Sequence, residues 1–287
     1  MNSRTKYTRS PIICNNNILR LLKKISLWLI CLACIGYIIV CGFFYSIQQK
    51  VLFGPTKLPA NYQFTFPGKF TERKIVVASG ITLDALLFKA DSSKGVVLYL
   101  HGNGGALDTW GSIAELYTSS GYDVFLPDYR GYGKSEGKIN SQQQFFDDVQ
   151  ACYNDLLTMY PENKIIVQGY SIGTCPAAML AAHNHPKLLI LQAPYYSMVD
   201  MMKKEYSFLP SFLLKYPLNT DEYVKVVKAP IIIFHGDADR VIYCGSSLKL
   251  QKDLKPGDSL IILKGQGHAG FTENAAYVAA MKTILKQ

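Results

Sequence analysis

The stretch VQGYSIGTCP, residues 167–176, places Ser171 between two glycines directly after a short β-branched run. A plain turn uses such residues too. If a strand precedes the motif and a helix follows it, the pattern G-x-S-x-G indicates a sharp turn that exposes a reactive hydroxyl. In that turn the serine takes a strained backbone conformation. Side chains at positions 169 and 173 would then collide with the adjoining strand and helix, which explains both glycines.

The surrounding sequence supplies this context. From about residue 71 onward, short apolar runs bounded by turn residues alternate with helical patterns. Strands that alternate with helices form a mostly parallel sheet with helices on both faces. We therefore expect an α/β fold with an eight-stranded sheet, whose strands are RKIVVAS, ITLDALLFKA, KGVVLYL, DVFLPDYRG, KIIVQGY, KLLILQAP, PIIIFHG and SLIILKG.

A serine hydroxyl is a poor nucleophile unless a base takes its proton. His268 follows the last predicted strand in KGQGHAG, where flanking glycines leave it free to swing over Ser171. We predict that His268 is the general base and then the general acid. The remaining histidines follow strands or lie at the end of the helix after Ser171: His101, His183, His185 and His235.

A third group must orient the imidazole, and FHGDADRVI offers Asp237 and Asp239 after the preceding strand. Asp239 lies further into its loop and is better placed to reach a neighbouring loop, so we favour it. Asp237 is expected to cap the turn. The order Ser171, Asp239, His268 is the order of catalytic residues in this architecture.

An oxyanion formed at Ser171 would need two aimed N–H donors. The amide of Ile172, directly after the serine, is one candidate. The other is expected in HGNGG after the third strand, at the amide of Asn103, with Gly104 as the neighbouring alternative. A phosphate-binding loop is excluded here because neither G-K-[ST] nor G-x-G-x-x-G follows.

The N-terminal region has a different composition. Residues 1–24 hold six of the 30 basic residues and none of the 21 acidic ones, and residues 25–47 carry no charge. As a helix, the uncharged run would extend about 35 Å, enough to cross a bilayer core of about 30 Å. A secretory signal has a shorter apolar run and a small-residue cleavage site, and neither is clear in this segment. A buried core helix would have an amphipathic face, which this segment lacks. We therefore favour a retained anchor.

These features divide the chain into a basic tail (1–24), a transmembrane anchor (25–47), a stem (48–70) and a catalytic domain (71–287). The positive-inside rule places the N-terminus in the cytoplasm and the catalytic domain on the other side of the membrane. The formal net charge of +9 comes largely from the tail, and the body has no basic stripe for nucleic acid. The cysteines of the catalytic domain, Cys152, Cys175 and Cys244, show no metal-ligand spacing.

Residues 71–287 resemble the α/β-hydrolase family. The resemblance is carried in order by YLHGNGG, PDYRGYGKSEG, GYSIG, APIIIFHGDADRVI and GQGHAGF. The sequence is most similar to single-pass, membrane-anchored serine hydrolases related to depalmitoylase-like and bud-emergence-type α/β hydrolases, in the serine aminopeptidase-like branch. The resemblance places DYRGYGKS after the fourth strand, lining the site, and implies no cofactor or metal. It assigns the triad to Ser171, Asp239 and His268, and the oxyanion hole to Asn103 and Ile172.

The chain departs from many esterases of this fold in having no large lid after the sixth strand. Residues 195–217 are apolar and aromatic, and they either pack against the sheet or form a small cap with an acyl pocket. We expect a serine hydrolase that cleaves esters or thioesters of acyl chains or lipids through an acyl-enzyme. A peptidase or amidase is the enzymatic alternative, and a catalytically silent scaffold that binds a partner at the membrane is the other.

Overall fold

The computed structural model describes residues 16–286, so the first 15 residues of the predicted tail lie outside the described part. The chain divides into two compact units, one ending at Ser46 and one beginning at Ile47. The first unit consists of most of helix α1 (Asn16–Leu52), which is long and apolar enough to cross a membrane. A signal sequence near an N-terminus would meet the same criterion. The helix extends beyond the predicted span at both ends, so the first residues of the predicted stem are helical.

An eight-stranded sheet forms the centre of the second unit. Its spatial order in chain numbering is 1-2-4-3-5-6-7-8. The second strand pairs antiparallel with the first and with the fourth. All other neighbours are parallel, which confirms the predicted mostly parallel sheet. The strands are β1 (Lys69–Ala78), β2 (Ile81–Lys89), β3 (Val96–Leu100), β4 (Asp123–Pro127), β5 (Ile165–Tyr170), β6 (Leu188–Gln192), β7 (Ile231–Gly236) and β8 (Ser259–Leu263).

Helices cover both faces of this sheet. Strand β3 shows the result, because all five of its residues are buried and they alternate between two apolar clusters. Val96, Leu98 and Leu100 join one cluster, whereas Val97 and Tyr99 join the other. The helices are α2 (Leu107–Trp110), α3 (Ala114–Thr118), α4 (Gln142–Leu157), α5 (Thr174–His183), α6 (Met198–Glu205), α7 (Thr220–Val224), α8 (Gly245–Leu250) and α9 (Ala275–Ile284).

The sequence pattern of residues 106–120 predicts one helix, but the structure interrupts it. Residues Gly111–Ile113 form a 3₁₀ turn between α2 and α3. Gly111 has low helix propensity, and a Cβ there would lie 2.3 Å from the Phe66 ring. The close approach of Phe66 therefore selects glycine at the point where the regular helix ends.

The segment predicted as a stem packs against the body of the second unit. Phe53 is 4% exposed, and its ring lies 5.4 Å from that of Phe145 and 5.2 Å from that of Tyr216. Residues Gly54–Pro55 then pair in parallel with Gly104–Gly105, in the loop after β3. Residues 53–55 are thus part of the structure that shapes this loop.

A small cap follows β6, which is one of the two arrangements expected for residues 195–217. It contains α6, a 3₁₀ turn over Ser211–Leu213, and α7. Met202 and Leu209 are buried, whereas Phe208 and Phe212 are exposed. Only part of the apolar surface of the cap packs on the sheet.

The loop after β4 is fixed by a buried ion pair. Arg130 donates from Nε and Nη2 to the two carboxylate oxygens of Asp148, at 2.6 and 2.8 Å. Both residues are buried, and Asp148 lies on α4 among the apolar side chains that face the sheet. The pair therefore joins the predicted site-lining loop to α4.

Asp148→Ala is expected to lower the free energy of unfolding by about 3–5 kcal/mol, because the Arg130 guanidinium stays buried without its anion. Asp147→Ala removes an exposed carboxylate from the adjacent position and should change stability by less than about 0.5 kcal/mol. Chemical denaturation of the full chain in detergent, followed by circular dichroism, compares the two variants. Equal losses in both would contradict a stabilising role for the buried pair.

Candidate active site

Ser171 lies at a sharp turn between β5 and α5. Its φ of +53° is in the left-handed region, which is strained for a residue with a side chain. A Cβ at Gly169 would lie 2.3 Å from the carbonyl oxygen of Gly173, and a Cβ at Gly173 would lie 2.2 Å from that of Leu100. The predicted collisions are therefore present, and both positions require glycine.

The structure brings the three predicted site residues together. His268 Nε2 lies 3.0 Å from Ser171 Oγ, and His268 Nδ1 lies 2.7 Å from Asp239 Oδ2. The residues follow β5, β7 and β8, whose carboxyl ends share one edge of the sheet. Because an ionised carboxylate only accepts, Nδ1 carries the proton of the neutral imidazole, and Nε2 is left to accept from the serine hydroxyl.

Asp239 is surrounded by donors. Its Oδ1 accepts the amides of Val241 and Ile242 at 2.8 and 2.9 Å, and its Oδ2 faces His268 and, at 3.5 Å, His235 Nε2. Burial by itself raises the pKa of the Asp239 carboxyl, but hydrogen bonds from His235 and His268 and the Ile242 amide outweigh it. They hold this pKa well below its usual value, so the carboxylate is ionised at neutral pH.

Asp237 does not reach the imidazole. Its Oδ1 accepts the amide of Gly265 at 2.6 Å, and its own amide donates to the carbonyl of Leu263 at 3.1 Å. These bonds join the loops after β7 and β8, which is the turn-capping position expected from the sequence.

The loop after β3 passes directly against the serine turn. A Cβ at Gly102 would lie 2.9 Å from the ring of Tyr170. The side chain of Asn103 in this loop accepts the Gly54 amide and donates to the Val51 carbonyl. The Asn103 carbonyl accepts the Tyr132 hydroxyl at 2.6 Å. Within residues 16–286, the Asn103 amide donates to no protein acceptor, so it is open to a ligand.

The loop that carries His268 is held in place, which differs from the expected free swing. Tyr170 donates its hydroxyl to the His268 carbonyl at 2.7 Å, and the two rings lie 5.4 Å apart. Gln266 Nε2 also donates to the carbonyls of Gly267 and Ala269, at 3.0 and 2.6 Å. Side chains therefore fix a loop whose glycines suggested mobility.

His235 is a further residue near the site; from the sequence it could approach the site, but its side chain was given no role there. It is fully buried, with Nδ1 2.6 Å from Ser247 Oγ and Nε2 2.9 Å from the Ile242 carbonyl. Because a carbonyl only accepts, Nε2 carries a proton, and this nitrogen also lies 3.5 Å from Asp239 Oδ2. His235 thus clamps the turn that presents the acid. The available signal was its position four residues before Asp239, at the end of a strand.

This arrangement can perform nucleophilic chemistry. A neutral imidazole that accepts from a serine hydroxyl can take its proton, and an ionised carboxylate can stabilise the resulting imidazolium. The amide of Ile172 follows the serine, and the open Asn103 amide belongs to the adjoining loop, so both are candidate donors to an oxyanion.

Sequence comparison identifies the family. The family profile for the alpha/beta hydrolase fold matches residues 95–224. Alpha/beta hydrolase domain-containing protein 17B of Homo sapiens is 32% identical over 208 residues, which cover 68% of each chain. This chain belongs to the α/β-hydrolase family. Protein bem46 of Schizosaccharomyces pombe is 27% identical over 241 residues, covering 74% of this chain and 80% of that protein. These two relatives confirm the predicted likeness to the bud-emergence and depalmitoylase-like branch of the family.

Solved α/β-hydrolase structures share this fold. Esterase Pf2001 of Pyrococcus furiosus superposes with a TM-score of 0.65 at 18% identity, over 82% of this chain and 98% of the esterase. Est1E of Butyrivibrio proteoclasticus, with ferulic acid bound, gives a TM-score of 0.58 at 20% identity, over 75% and 96% of the chains.

We expect His235→Leu to slow fluorophosphonate labelling of Ser171 by about tenfold, since one hydrogen bond to a charged group contributes about 1.5–3 kcal/mol. His235→Gln, whose side-chain amide can still donate, should restore most of the rate. Ser247→Ala removes only the partner of Nδ1 and serves as the matched control. Labelling equally fast in the Leu variant and in wild type would show that the clamp does not affect the reactivity of Ser171.

Proposed function

We propose that this α/β hydrolase is a membrane-anchored serine hydrolase that cleaves carboxylic esters or thioesters. The observation that carries the proposal is the continuous hydrogen-bonded path from Ser171 Oγ through His268 to Asp239, with distances of 3.0 and 2.7 Å. Its position at the carboxyl edge of the sheet is where ligands bind in such folds.

In the proposed reaction, Ser171 Oγ attacks the carbonyl carbon of the substrate while His268 Nε2 takes the hydroxyl proton. The oxyanion of the tetrahedral intermediate accepts from the amides of Asn103 and Ile172. The imidazolium then gives its proton to the leaving alcohol or thiol as the bond to the carbonyl carbon breaks. Water activated by His268 attacks the acyl-enzyme, releases the acid and restores Ser171.

Asp239 keeps the imidazole in the required tautomer and stabilises its cation. Its pKa is depressed below its unfolded value of about 3.9, so its contribution to stability and orientation is present above that pH and is lost as the pH falls toward the folded pKa. The carboxylate of Asp239 is therefore expected to stay ionised throughout the neutral pH range.

Acyl chains are the proposed substrates. The cap after β6 exposes apolar side chains, and the structural neighbour Pf2001 is an esterase. A triad alone does not define the leaving group. A panel of lipid esters, thioesters and amides of one acyl chain would separate the proposed activity from that of an amidase.

Membrane anchoring is proposed from α1. Residues 25–47 carry no charge, and the basic residues that precede them favour an N-terminus in the cytoplasm. The second unit, with the candidate triad, would then lie on the opposite side of the membrane.

His268→Ala is expected to lower turnover of a short p-nitrophenyl ester by at least about a thousandfold, because the serine loses its base. Ser171→Ala should abolish both turnover and fluorophosphonate labelling. Asp239→Asn should act strongly, whereas Asp237→Asn, in the same loop, should have a small effect. A folded wild-type protein that neither hydrolyses the ester nor reacts with the probe would favour the silent scaffold.

For the topology, a reporter active only outside the cytoplasm should be active when fused at Gln287. The same reporter fused after Lys24 should be inactive, because that fusion lacks the anchor. An N-terminal epitope tag should remain on the membrane-bound protein, since the helix is retained. Loss of the tag from the mature protein would instead identify α1 as a cleaved signal.

A further inference from the structure

The cap presents an exposed aromatic ring on a segment that is pinned at both ends. Phe212 is 84% exposed, whereas Leu209 before it and Tyr216 after it are 7% and 1% exposed. Tyr216 also donates its hydroxyl to the Ile139 carbonyl at 3.2 Å. The buried neighbours hold the backbone in place, so the exposure of Phe212 belongs to an ordered surface.

Gln48 ties this segment to the end of α1. Its Nε2 donates to the Leu213 carbonyl, and its Oε1 accepts the Lys215 amide, both at 2.8 Å. All three residues belong to the second compact unit. Gln48 is the first residue after the predicted membrane span, which ends at Ile47. If residues 25–47 cross the bilayer, the chain leaves the bilayer at Gln48, and Gln48 is hydrogen-bonded to the backbone at 213–215.

The charges around Phe212 suit a lipid surface. Residues 203–215 contain Lys203, Lys204 and Lys215 but only one acidic residue, Glu205, which pairs with Lys204 at 3.1 Å. The three lysines are exposed. Exposed aromatic rings flanked by basic side chains are typical of the membrane interface, where the rings enter the boundary between headgroups and acyl chains and the ammonium groups stay among the headgroups.

We propose that residues 206–215 dock on the bilayer that α1 crosses, with Phe212 inserted between the lipids. The proposal rests on the membrane anchor described under the proposed function. The lipid surface is the occupant that these contacts favour, because the segment is hydrogen-bonded to Gln48, the residue that directly follows the predicted membrane span.

The same cap is connected to the candidate acid. Asp200 on α6 accepts from Lys249 Nζ at 2.5 Å and from the Tyr243 hydroxyl, and both donors lie in the segment that follows Asp239. Docking at 206–215 would thus set the cap, and the side of the site next to it, at the lipid surface. This docking narrows the proposed substrates to molecules whose acyl chain is embedded in the bilayer.

Lipid-quenched tryptophan fluorescence tests the proposal on the full-length protein. Phe212→Trp is made in a Trp28→Phe background, which removes the tryptophan of the anchor and leaves only Trp110. The protein is reconstituted in phosphatidylcholine–phosphatidylglycerol vesicles with or without brominated acyl chains. Val76→Trp in the same background is the matched control, because Val76 is an apolar residue of β1 that is 73% exposed.

We expect brominated chains to lower the emission added by Phe212→Trp by at least about twofold, because interfacial side chains reach about 5–10 Å into the bilayer. The emission added by Val76→Trp should be unchanged. An unquenched Trp at 212 in protein that floats with the vesicles would overturn the docking but leave the anchor and the hydrolase intact. Equal quenching at 76 and 212 would overturn the assignment of the surface, and failure to float would overturn the anchor together with the docking.

Discussion

The close approach of Gly173 to the end of β3 is the constraint on which the site depends. The 2.2 Å that would separate a Cβ at 173 from the Leu100 carbonyl oxygen leaves room only for a hydrogen atom. The turn can therefore press against β3, which gives Ser171 its positive φ and brings the loop with Asn103 beside the serine. The nucleophile and one candidate oxyanion donor share this single contact, so a larger residue at 173 would displace both.

Much of this arrangement could be predicted because its signals are local in sequence. Strands such as β3 and β5 are buried on both faces and hence appear as unbroken apolar runs. The turn sterically requires glycine at positions 169 and 173, and both glycines are visible in the sequence. The position of Asp239, two residues further into its loop than Asp237, was sufficient to choose the carboxylate that the structure places 2.7 Å from the imidazole.

The contacts that escaped prediction join residues distant in sequence and leave no periodic pattern. Tyr170 is the first variable residue of G-x-S-x-G, and its hydroxyl donates to a carbonyl 98 residues later in the chain. The glycines around His268 indicate backbone freedom, but tertiary contacts with Tyr170 and Gln266 remove it. The interruption at Gly111 likewise depends on Phe66, which belongs to a different part of the chain. Propensity and motif spacing define the conformations that are open to a segment, and contacts between distant residues select one of them.

Two opposing energies meet at the candidate site. The left-handed backbone at Ser171 costs about 1–3 kcal/mol. Asp239, in contrast, has a folded pKa below its unfolded value, so its ionised form stabilises the folded state at neutral pH. Because the donors that lower this pKa include His268 and His235, the hydrogen bonds that orient the base also offset strain at the nucleophile. The fully buried imidazole of His235 supplies one of these donors behind the acid, where an apolar side chain would fill the same space without donating.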